Sequence, residues 1–252
     1  MPRILLTGVA TLDIINLTEH YPTEDSEVRA LEQHIRCGGN ACNSAVVIQQ
    51  LGIQASLLSN LADDAHADSI RCQLQNQQID LSFCPRQADS ITPTSCITLS
   101  QNSGSRSIVH YRQLDELRAD DFTCVDLSVF QWLHFEARNC VQLRAMLQYA
   151  CGFNIPISIE LEKPRPHMDA IPGYADVLLI SRMYAESLQF NDARSCVEHF
   201  ASIYPDKIIS CSWGKLGAWA YDRNSIIHQP AEPVAQPVET LGAGDTFNPN
   251  VS

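Results

Sequence analysis

The sequence predicts an α/β fold with a mostly parallel central sheet and a small inserted β-sheet. Short apolar runs of strand length alternate with segments of helical period along most of the chain, which is typical of repeated strand–helix–strand units. The runs are apolar nearly throughout, as in strands that are covered on both faces. Two stretches with mixed polar and apolar residues interrupt this alternation, and they predict the inserted sheet.

Six apolar runs are the predicted strands of the central sheet, at residues 4–9, 55–59, 129–135, 155–159, 177–180 and 207–211. The predicted helices between them cover residues 43–51, 64–77, 139–151 and 192–204. Gly52 and Pro205 follow the first and the last of these helices, where a stop is expected. Because crossovers of this kind are right-handed and join parallel strands, we expect the six strands to be parallel.

The inserted sheet is predicted from residues 14–37 and 94–112. Both stretches contain strand-like segments separated by turn residues, among them Pro22, Asp25 and the run 102–104. A lid over a binding site is the economical interpretation, and an unrelated β-appendage is the alternative.

Length, charge and cysteine usage limit the class of protein. A chain of 252 residues with 45% hydrophobic residues is long enough to form one well-buried core, so we expect a single domain over residues 1–252. The formal charge of −12 and the scattered basic residues argue against nucleic acid or an anionic membrane as the main partner.

Ten cysteines without a Cys-x-x-Cys spacing favour buried thiols in a reducing compartment over disulfides or zinc. We see neither a secretory signal nor a run long enough to span a membrane, and a cytoplasmic protein is predicted.

A glycine-rich motif near the end of the chain carries the densest chemical signal. In Gly242-Ala243-Gly244-Asp245, the glycines let backbone N–H groups approach an anion. A helix that begins here would direct its positive end at the same point. Helix capping by Asp245 is the alternative.

A second motif opens the first predicted helix. Gly38 and Gly39 also permit close approach of the backbone, and Asn40 and Asn43 share one side of the first helical turn. Carboxamides both donate and accept hydrogen bonds, which suits the hydroxyl groups of a sugar. Ordinary capping by these residues is the alternative.

The two motifs occur in the order that one enzyme family uses. The chain resembles the ribokinase-like (PfkB) carbohydrate kinases and, within them, the ketohexokinase branch. The resemblance covers essentially the whole chain and rests on residues 21–29, 37–52, 103–112, 132–139, 157–165, 173–182 and 240–248. It implies a ribokinase-like three-layer sandwich with a β-sheet lid, a homodimer formed through the lid, and ATP-dependent phosphorylation of fructose at its C1 hydroxyl to fructose 1-phosphate. Another sugar or a nucleoside as acceptor is the alternative within the family.

The resemblance also implies roles for individual residues. Asp245 is the expected base for the sugar hydroxyl, and the N–H groups of Gly242, Ala243 and Gly244 are expected to stabilise the charge on the transferred phosphoryl group. The expected ketose ligands are Asp13, Asp25, Gly39, Asn40 and Asn43. The expected nucleotide-binding residues are Arg106, Gly214, Lys215, Leu216 and Gly217. Glu136 and Arg138 are expected near the transferring phosphate, with an ordinary surface ion pair as the alternative. Mg²⁺ is expected to arrive with ATP and to be held mostly through water, without a dedicated set of protein ligands.

Two departures from the family pattern bear on activity. Glu239-Thr240 stands where the family has Asp-Thr, in the loop region associated with a monovalent cation, which leaves potassium activation open. Only residues 246–252 follow Asp245, and they include Pro249, whereas family members continue for several dozen residues. The resemblance therefore predicts a C-terminally truncated kinase in which the helix after Asp245 is poorly supported. A catalytically silent protein that retains sugar binding or dimerisation is the alternative.

Overall fold

The structure, a computed structural model, describes residues 2–233 and 242–248. These residues form fourteen strands and seven α-helices. The strands are β1 (Arg3–Thr7), β2 (Thr11–Thr18), β3 (Glu32–Gly38), β4 (Gln54–Leu58), β5 (Leu61–Ala62), β6 (Arg86–Gln87), β7 (Thr94–Ser100), β8 (Arg106–Tyr111), β9 (Trp132–Glu136), β10 (Ile157–Leu161), β11 (Val177–Ile180), β12 (Ile208–Ser212), β13 (Ala218–Tyr221) and β14 (Ile226–Gln229). The helices are α1 (Asn40–Gln50), α2 (Ala65–Asn76), α3 (Ala119–Thr123), α4 (Cys140–Ala150), α5 (Arg182–Ser187), α6 (Ala193–Ile203) and α7 (Ala243–Phe247).

The central sheet has eight strands in the order β14-β13-β12-β11-β10-β9-β1-β4. The six strands from β4 to β12 in this order are parallel to their neighbours, and these are the six that the sequence predicts. The hairpin of β13 and β14 extends one edge in antiparallel fashion. The predicted α/β fold with a mostly parallel sheet is therefore confirmed.

Helices cover both faces of the central sheet. Successive residues of each strand point to opposite faces, so each strand contributes side chains to both layers of the core. In β1, Leu5 packs in one apolar cluster with Phe135 and with the buried residues of α4 and α6. Its neighbour Leu6 packs in a second cluster with Leu57 and the buried residues of α1 and α2. The continuous apolarity of the strands thus reflects a three-layer arrangement.

The inserted stretches form a separate four-stranded sheet in the order β3-β2-β7-β8. The pair β2 and β7 is parallel, and the other two pairs are antiparallel. This second sheet follows β1 after only three residues, so its first strand begins beside the ends of the central strands. Its closure as a lid stays a prediction.

Helix boundaries differ from the predicted ones mainly at α1. This helix begins at Asn40, three residues before the predicted start, because Gly39 with a φ of 101° forms its N-terminal boundary. The short helices α3, α5 and α7 have too few turns to show a clear period in the sequence. None of the helices within 2–233 and 242–248 combines the length and the apolarity needed to cross a bilayer.

Candidate active site

A cavity of about 500 Å³ lies where both sheets meet the first turns of α1 and α7. The strands β9 and β10 approach it with Glu136 and Glu160, and Ser181 follows β11 at the same edge. Ligands of open parallel sheets bind outside the carboxyl ends of the strands. The remaining lining residues are Val9, Thr11, Asp13, Gly39, Asn40, Asn43, Ser95, Ile97, Arg106, Ile108, His110, Arg138, Glu162, Lys163, Arg165, Gly242, Ala243, Gly244 and Asp245.

The C-terminal glycine motif forms the first turn of α7 at this cavity. Gly242 adopts a φ of 72° at the helix boundary, and Asp245 is only 8% exposed in the first turn. The first N–H groups of a helix have no partner within it, so those of the motif are available to an anion. Residues 243–247 are helical, and the expectation that this helix is poorly supported stays a prediction. Glu239, Thr240 and Pro249 lie outside the described residues.

The two glycine motifs meet through a hydrogen bond. Asn43 Nδ2 donates to Asp245 Oδ2 at 2.7 Å, and Ser44 Oγ donates to the Asp245 carbonyl at 3.2 Å. Burial raises the pKa of Asp245 to about 6, whereas the Asn43 hydrogen bond acts to lower it. The negative charges of Glu162 and Asp13 raise this pKa further, and Arg106 opposes them. Asp245 is therefore a stronger base than an ordinary carboxylate and is still mostly ionised at neutral pH.

The N-terminal motif requires glycine at its turn. A Cβ on Gly39 would lie 2.0 Å from the carbonyl oxygen of Val9, and one on Gly38 would lie 2.1 Å from Asp13 Oδ2. Such distances exclude any side chain at these positions without a shift of the backbone or of Asp13. The close approach brings Asn40 and Asn43 to the cavity, on the same side of the first turn of α1, as the spacing predicts.

Glu136 and Arg138 both line the cavity, but they do not form a surface ion pair. Glu136 is buried, and its Oε2 accepts the N–H of Val9 at 2.5 Å. Burial raises the pKa of Glu136 to about 7, although the charge of Arg138 acts to lower it. The Arg138 guanidinium pairs instead with Glu116, with Nε 3.0 Å from Oε1. The alternative of an ordinary surface ion pair is therefore wrong.

A second buried carboxylate was not singled out from the sequence. Glu160 Oε1 accepts from Asn248 Nδ2 at 2.9 Å. Its Oε2 is buried and has no hydrogen-bond partner within the described residues. Burial and the charges of Glu136 and Asp245 raise the pKa of Glu160 well above its ordinary value. The alternation of apolar and polar residues in β10 does not show, from sequence alone, that Glu160 faces a cavity.

Strand β8 of the second sheet contributes further lining residues to the cavity. Arg106, Ile108 and His110 alternate along β8, so one face of that strand lines the cavity. His110 Nδ1 lies 3.2 Å from Ser95 Oγ on the neighbouring strand. The strand alternation was readable in the sequence, but the side that faces the cavity was not.

Two predicted groups lie away from this cavity. Asp25 is exposed on the loop between β2 and β3, with a φ of 58°. The turn Gly214–Leu216 and Gly217 joins β12 to β13 at the carboxyl end of β12, on the edge that holds the cavity. A Cβ on Gly217 would lie 2.1 Å from the Gln229 carbonyl oxygen, which explains the glycine there. Sugar binding by Asp25 and nucleotide binding by this turn stay predictions.

Comparison with known proteins gives the family. Residues 1–249 match the pfkB family of carbohydrate kinases. The chain belongs to this family. It is 34% identical to ketohexokinase of Mus musculus over 260 residues, which covers 99% of this chain and 87% of the relative. It is 23% identical to ribokinase of Bacillus subtilis, covering 98% of this chain and 84% of the relative.

Solved structures agree on the fold. The structure of a putative ribokinase from Agrobacterium tumefaciens superimposes with a TM-score of 0.85 at 21% identity, covering 98% of this chain and 82% of that one. The ribokinase-like architecture is thereby confirmed. The chain is a sugar kinase by family.

The close packing around Glu136 gives a test of the site. We expect Gly8→Ala to lower the free energy of unfolding by about 1–3 kcal/mol, because its Cβ would lie 2.0 Å from Glu136 Oε2 and 2.6 Å from the Ala41 Cβ. Urea unfolding measures this change. Gly152→Ala is the matched control, since its Cβ meets nothing within 4 Å. Equal stability of the two variants would contradict the packing described here.

Proposed function

We propose that this kinase transfers the γ-phosphoryl group of ATP to the C1 hydroxyl of fructose and gives fructose 1-phosphate. The observation that carries the proposal is the Asp245 carboxylate, buried in the cavity at the first turn of α7 and hydrogen-bonded by Asn43. The 34% identity to mouse ketohexokinase along 99% of the chain supports fructose as the acceptor. We also propose a cytoplasmic location, which the ten free cysteines support.

In the proposed reaction, Asp245 accepts the proton of the C1 hydroxyl while the C1 oxygen forms its bond to the γ-phosphorus. The bond from this phosphorus to the β–γ bridging oxygen breaks, and ADP leaves. Charge on the transferred group is stabilised by the backbone N–H groups of Gly242, Ala243 and Gly244, which line the cavity beside the base. Such a transfer depends on positioning and electrostatics and needs no covalent enzyme intermediate.

Four of the five proposed sugar ligands, Asp13, Gly39, Asn40 and Asn43, line the cavity. Asp13 and Asn40 provide a carboxylate and a carboxamide for hydroxyl groups, and Gly39 allows the backbone to come close. Asn43 has a second task, because its Nδ2 already donates to Asp245. It would therefore align the base with the sugar. Asp25 stays in this proposal as a ligand from the exposed loop of the second sheet.

The proposed nucleotide site lies toward β8 and the end of β12. Arg106 lines the cavity, and its charge acts on Asp245, so it is near enough to the base to attract nucleotide phosphates. Lys215 and Leu216 are exposed in the turn after β12, where they can border the nucleoside. Glu136 and Arg138 line the same cavity as Arg106 and the sugar ligands, and we assign them to the path of the phosphoryl group.

The carboxylates of Glu160 and Glu162 are suited to bind Mg²⁺ that arrives with ATP. Glu160 Oε2 is a buried oxygen at the cavity without a hydrogen-bond partner within the described residues, and Mg²⁺ prefers oxygen ligands while it keeps several waters. Within the same residues, no group of three or more acidic, His or Cys side chains could hold a metal alone. Glu160 and Glu162 would hold the hydrated ion, which neutralises phosphate charge.

A different acceptor is the second candidate. The similarity to a ribokinase over 98% of the chain favours this alternative, because the same base and N–H groups serve any hydroxyl placed beside Asp245. The acceptor is then decided by the side chains from the second sheet, such as Ser95 and His110, that line the cavity.

An ADP-release assay on the full chain with fructose, ribose and adenosine tests the proposal. We expect the highest kcat/KM with fructose, and phosphorus NMR should assign the product to C1. Asp245→Asn should reduce turnover by about 10²–10⁴-fold, because the general base is lost. Asp206→Asn is the control, since its carboxylate is 78% exposed.

Each outcome of that assay is informative. Equal turnover by Asp245→Asn would remove the assigned base. Turnover with ribose or adenosine in place of fructose would favour the second candidate. Binding of fructose by calorimetry without turnover on any acceptor would favour the catalytically silent alternative.

The raised pKa of Asp245 predicts the pH dependence of the reaction. We expect kcat/KM to fall as the pH drops through about 6, the pKa of the buried carboxyl, because the protonated form cannot accept the hydroxyl proton. Glu162→Gln should move this limb to lower pH, since the Glu162 charge raises the Asp245 pKa. A limb near pH 4, the ordinary range of an aspartate, would contradict the assignment.

We propose that the kinase is a homodimer formed through the second sheet. Support comes from its exposed apolar side chains, among them Ile35, Val109 and Tyr111, because such a patch is typical of an interface. Light scattering should give twice the mass of one chain. Val109→Asp, on a side chain 71% exposed, should give a monomer, whereas Val141→Asp on α4, 59% exposed, should leave the dimer intact. A monomeric unsubstituted chain would contradict the proposal.

A further inference from the structure

Two thiols lie against each other at the turn that carries the proposed sugar ligands. The Sγ of Cys37, in β3, is 2.6 Å from the Sγ of Cys42, in the first turns of α1. A disulfide has a sulfur–sulfur distance of about 2.05 Å, so the two atoms need to approach by only about half an ångström. The hydrogen bond to Cys37, together with burial, raises the pKa of the Cys42 thiol well above its ordinary value.

The two thiols differ in their access to solvent. Cys42 is 0% exposed. Cys37 is half-buried and lines an open cavity of about 470 Å³ that also contacts Asp13 and Asn43. An oxidant in solution would therefore meet Cys37 first, and Cys42 is positioned as the thiol that resolves the oxidised form.

We propose that Cys37 and Cys42 form a reversible disulfide when the protein meets a peroxide, and that this bond slows the kinase. The Cys37 sulfur attacks one peroxide oxygen and forms a sulfur–oxygen bond, the oxygen–oxygen bond breaks, and the other oxygen leaves as water, which gives a sulfenic acid. The Cys42 sulfur then attacks the Cys37 sulfur, the sulfur–oxygen bond breaks, and a second water leaves. The two thiols lose two electrons and two protons in total, and the peroxide gains them. In a reducing compartment such bonds are usually transient and redox-sensing.

The disulfide would act on the site through a turn whose backbone has no room to shift. The linked residues enclose Gly38 and Gly39, and Gly39 is so close to the Val9 carbonyl oxygen that a Cβ would lie 2.0 Å from that atom. A shift of Cys42 toward Cys37 therefore passes to the next residue, Asn43, which donates to Asp245 at 2.7 Å. This effect on turnover rests on the proposed function, in which Asn43 aligns the base.

Peptide mapping of the full chain tests the bond itself. Trypsin cleaves after Arg36 and Arg71 and releases peptide 37–71, in which Cys37 and Cys42 are the only cysteines. After peroxide treatment and alkylation in denaturant, we expect this peptide to be lighter by two hydrogens and to carry no alkyl group. After dithiothreitol, it should carry two. A peptide 37–71 that stays a dithiol, or that is linked to another peptide, would overturn the proposal.

Activity measurements test the consequence. We expect peroxide to lower kcat/KM about tenfold or more, because small misplacements of reacting groups are costly, and dithiothreitol to restore it. Cys37→Ser and Cys42→Ala should both keep their activity in peroxide, and agreement of the two variants excludes a packing effect of either one. Cys72→Ser, at an exposed cysteine, should lose activity like the unsubstituted chain.

The peptide masses and the activity measurements distinguish a failure of the redox proposal from a failure of the proposed function. A disulfide in peptide 37–71 without loss of activity would overturn the proposed control. A reduced chain without activity on any acceptor would refute the proposed function, and the peptide masses would still decide whether the bond forms.

Discussion

The contact between Asn43 and Asp245 is the interaction on which the site depends. It joins residues 202 positions apart, and it holds together the first turns of α1 and α7. Each helix begins at its own glycine turn, and a second hydrogen bond from Ser44 Oγ to the Asp245 carbonyl supports the same contact. The carboxylate thereby obtains a fixed orientation, while Gly242, Ala243 and Gly244 of its own turn line the same cavity.

Charge is the second constraint on this cavity. Asp13, Glu136, Glu160 and Asp245 all line a cavity proposed to hold an anionic nucleotide, in a chain whose formal charge is already −12. Burial raises the pKa of Glu136 to about 7 and that of Asp245 to about 6, so part of this negative charge is removed near neutral pH. Arginine side chains, backbone N–H groups and a cation that accompanies the nucleotide must balance the remainder.

The fold was predictable because it depends on patterns that are local in sequence. Continuous apolar runs identify the parallel strands, and the mixed runs identify the second sheet. The spacing of Asn40 and Asn43 also predicts correctly that they share a side of one turn. The edge hairpin of β13 and β14 was missed although six of its eight residues are hydrophobic, because its strands have only four residues each and are partly exposed.

The site was less predictable because its contacts are long-range. The pairing of Arg138 with Glu116 instead of Glu136 depends on burial that only the packed sheet creates. The unpartnered oxygen of Glu160 likewise belongs to a strand that looks ordinary in sequence. Family resemblance supplied the roles of Asp245 and Arg106, whereas the hydrogen bond that orients Asp245 came from the structure.

The three residues between β1 and β2 limit how the second sheet can move. The N–H of Gly8 donates to the Leu58 carbonyl at 3.1 Å, that of Val9 to Glu136 Oε2 at 2.5 Å, and that of Ala10 to Ser59 Oγ at 3.0 Å. Every backbone donor of this connection is thus anchored to the central body, so the connection cannot serve as a hinge. The predicted lid movement of the second sheet would therefore have to bend β2 beyond Ala10. Glu136, the carboxylate proposed to meet the phosphoryl group, therefore also anchors the connection between β1 and β2.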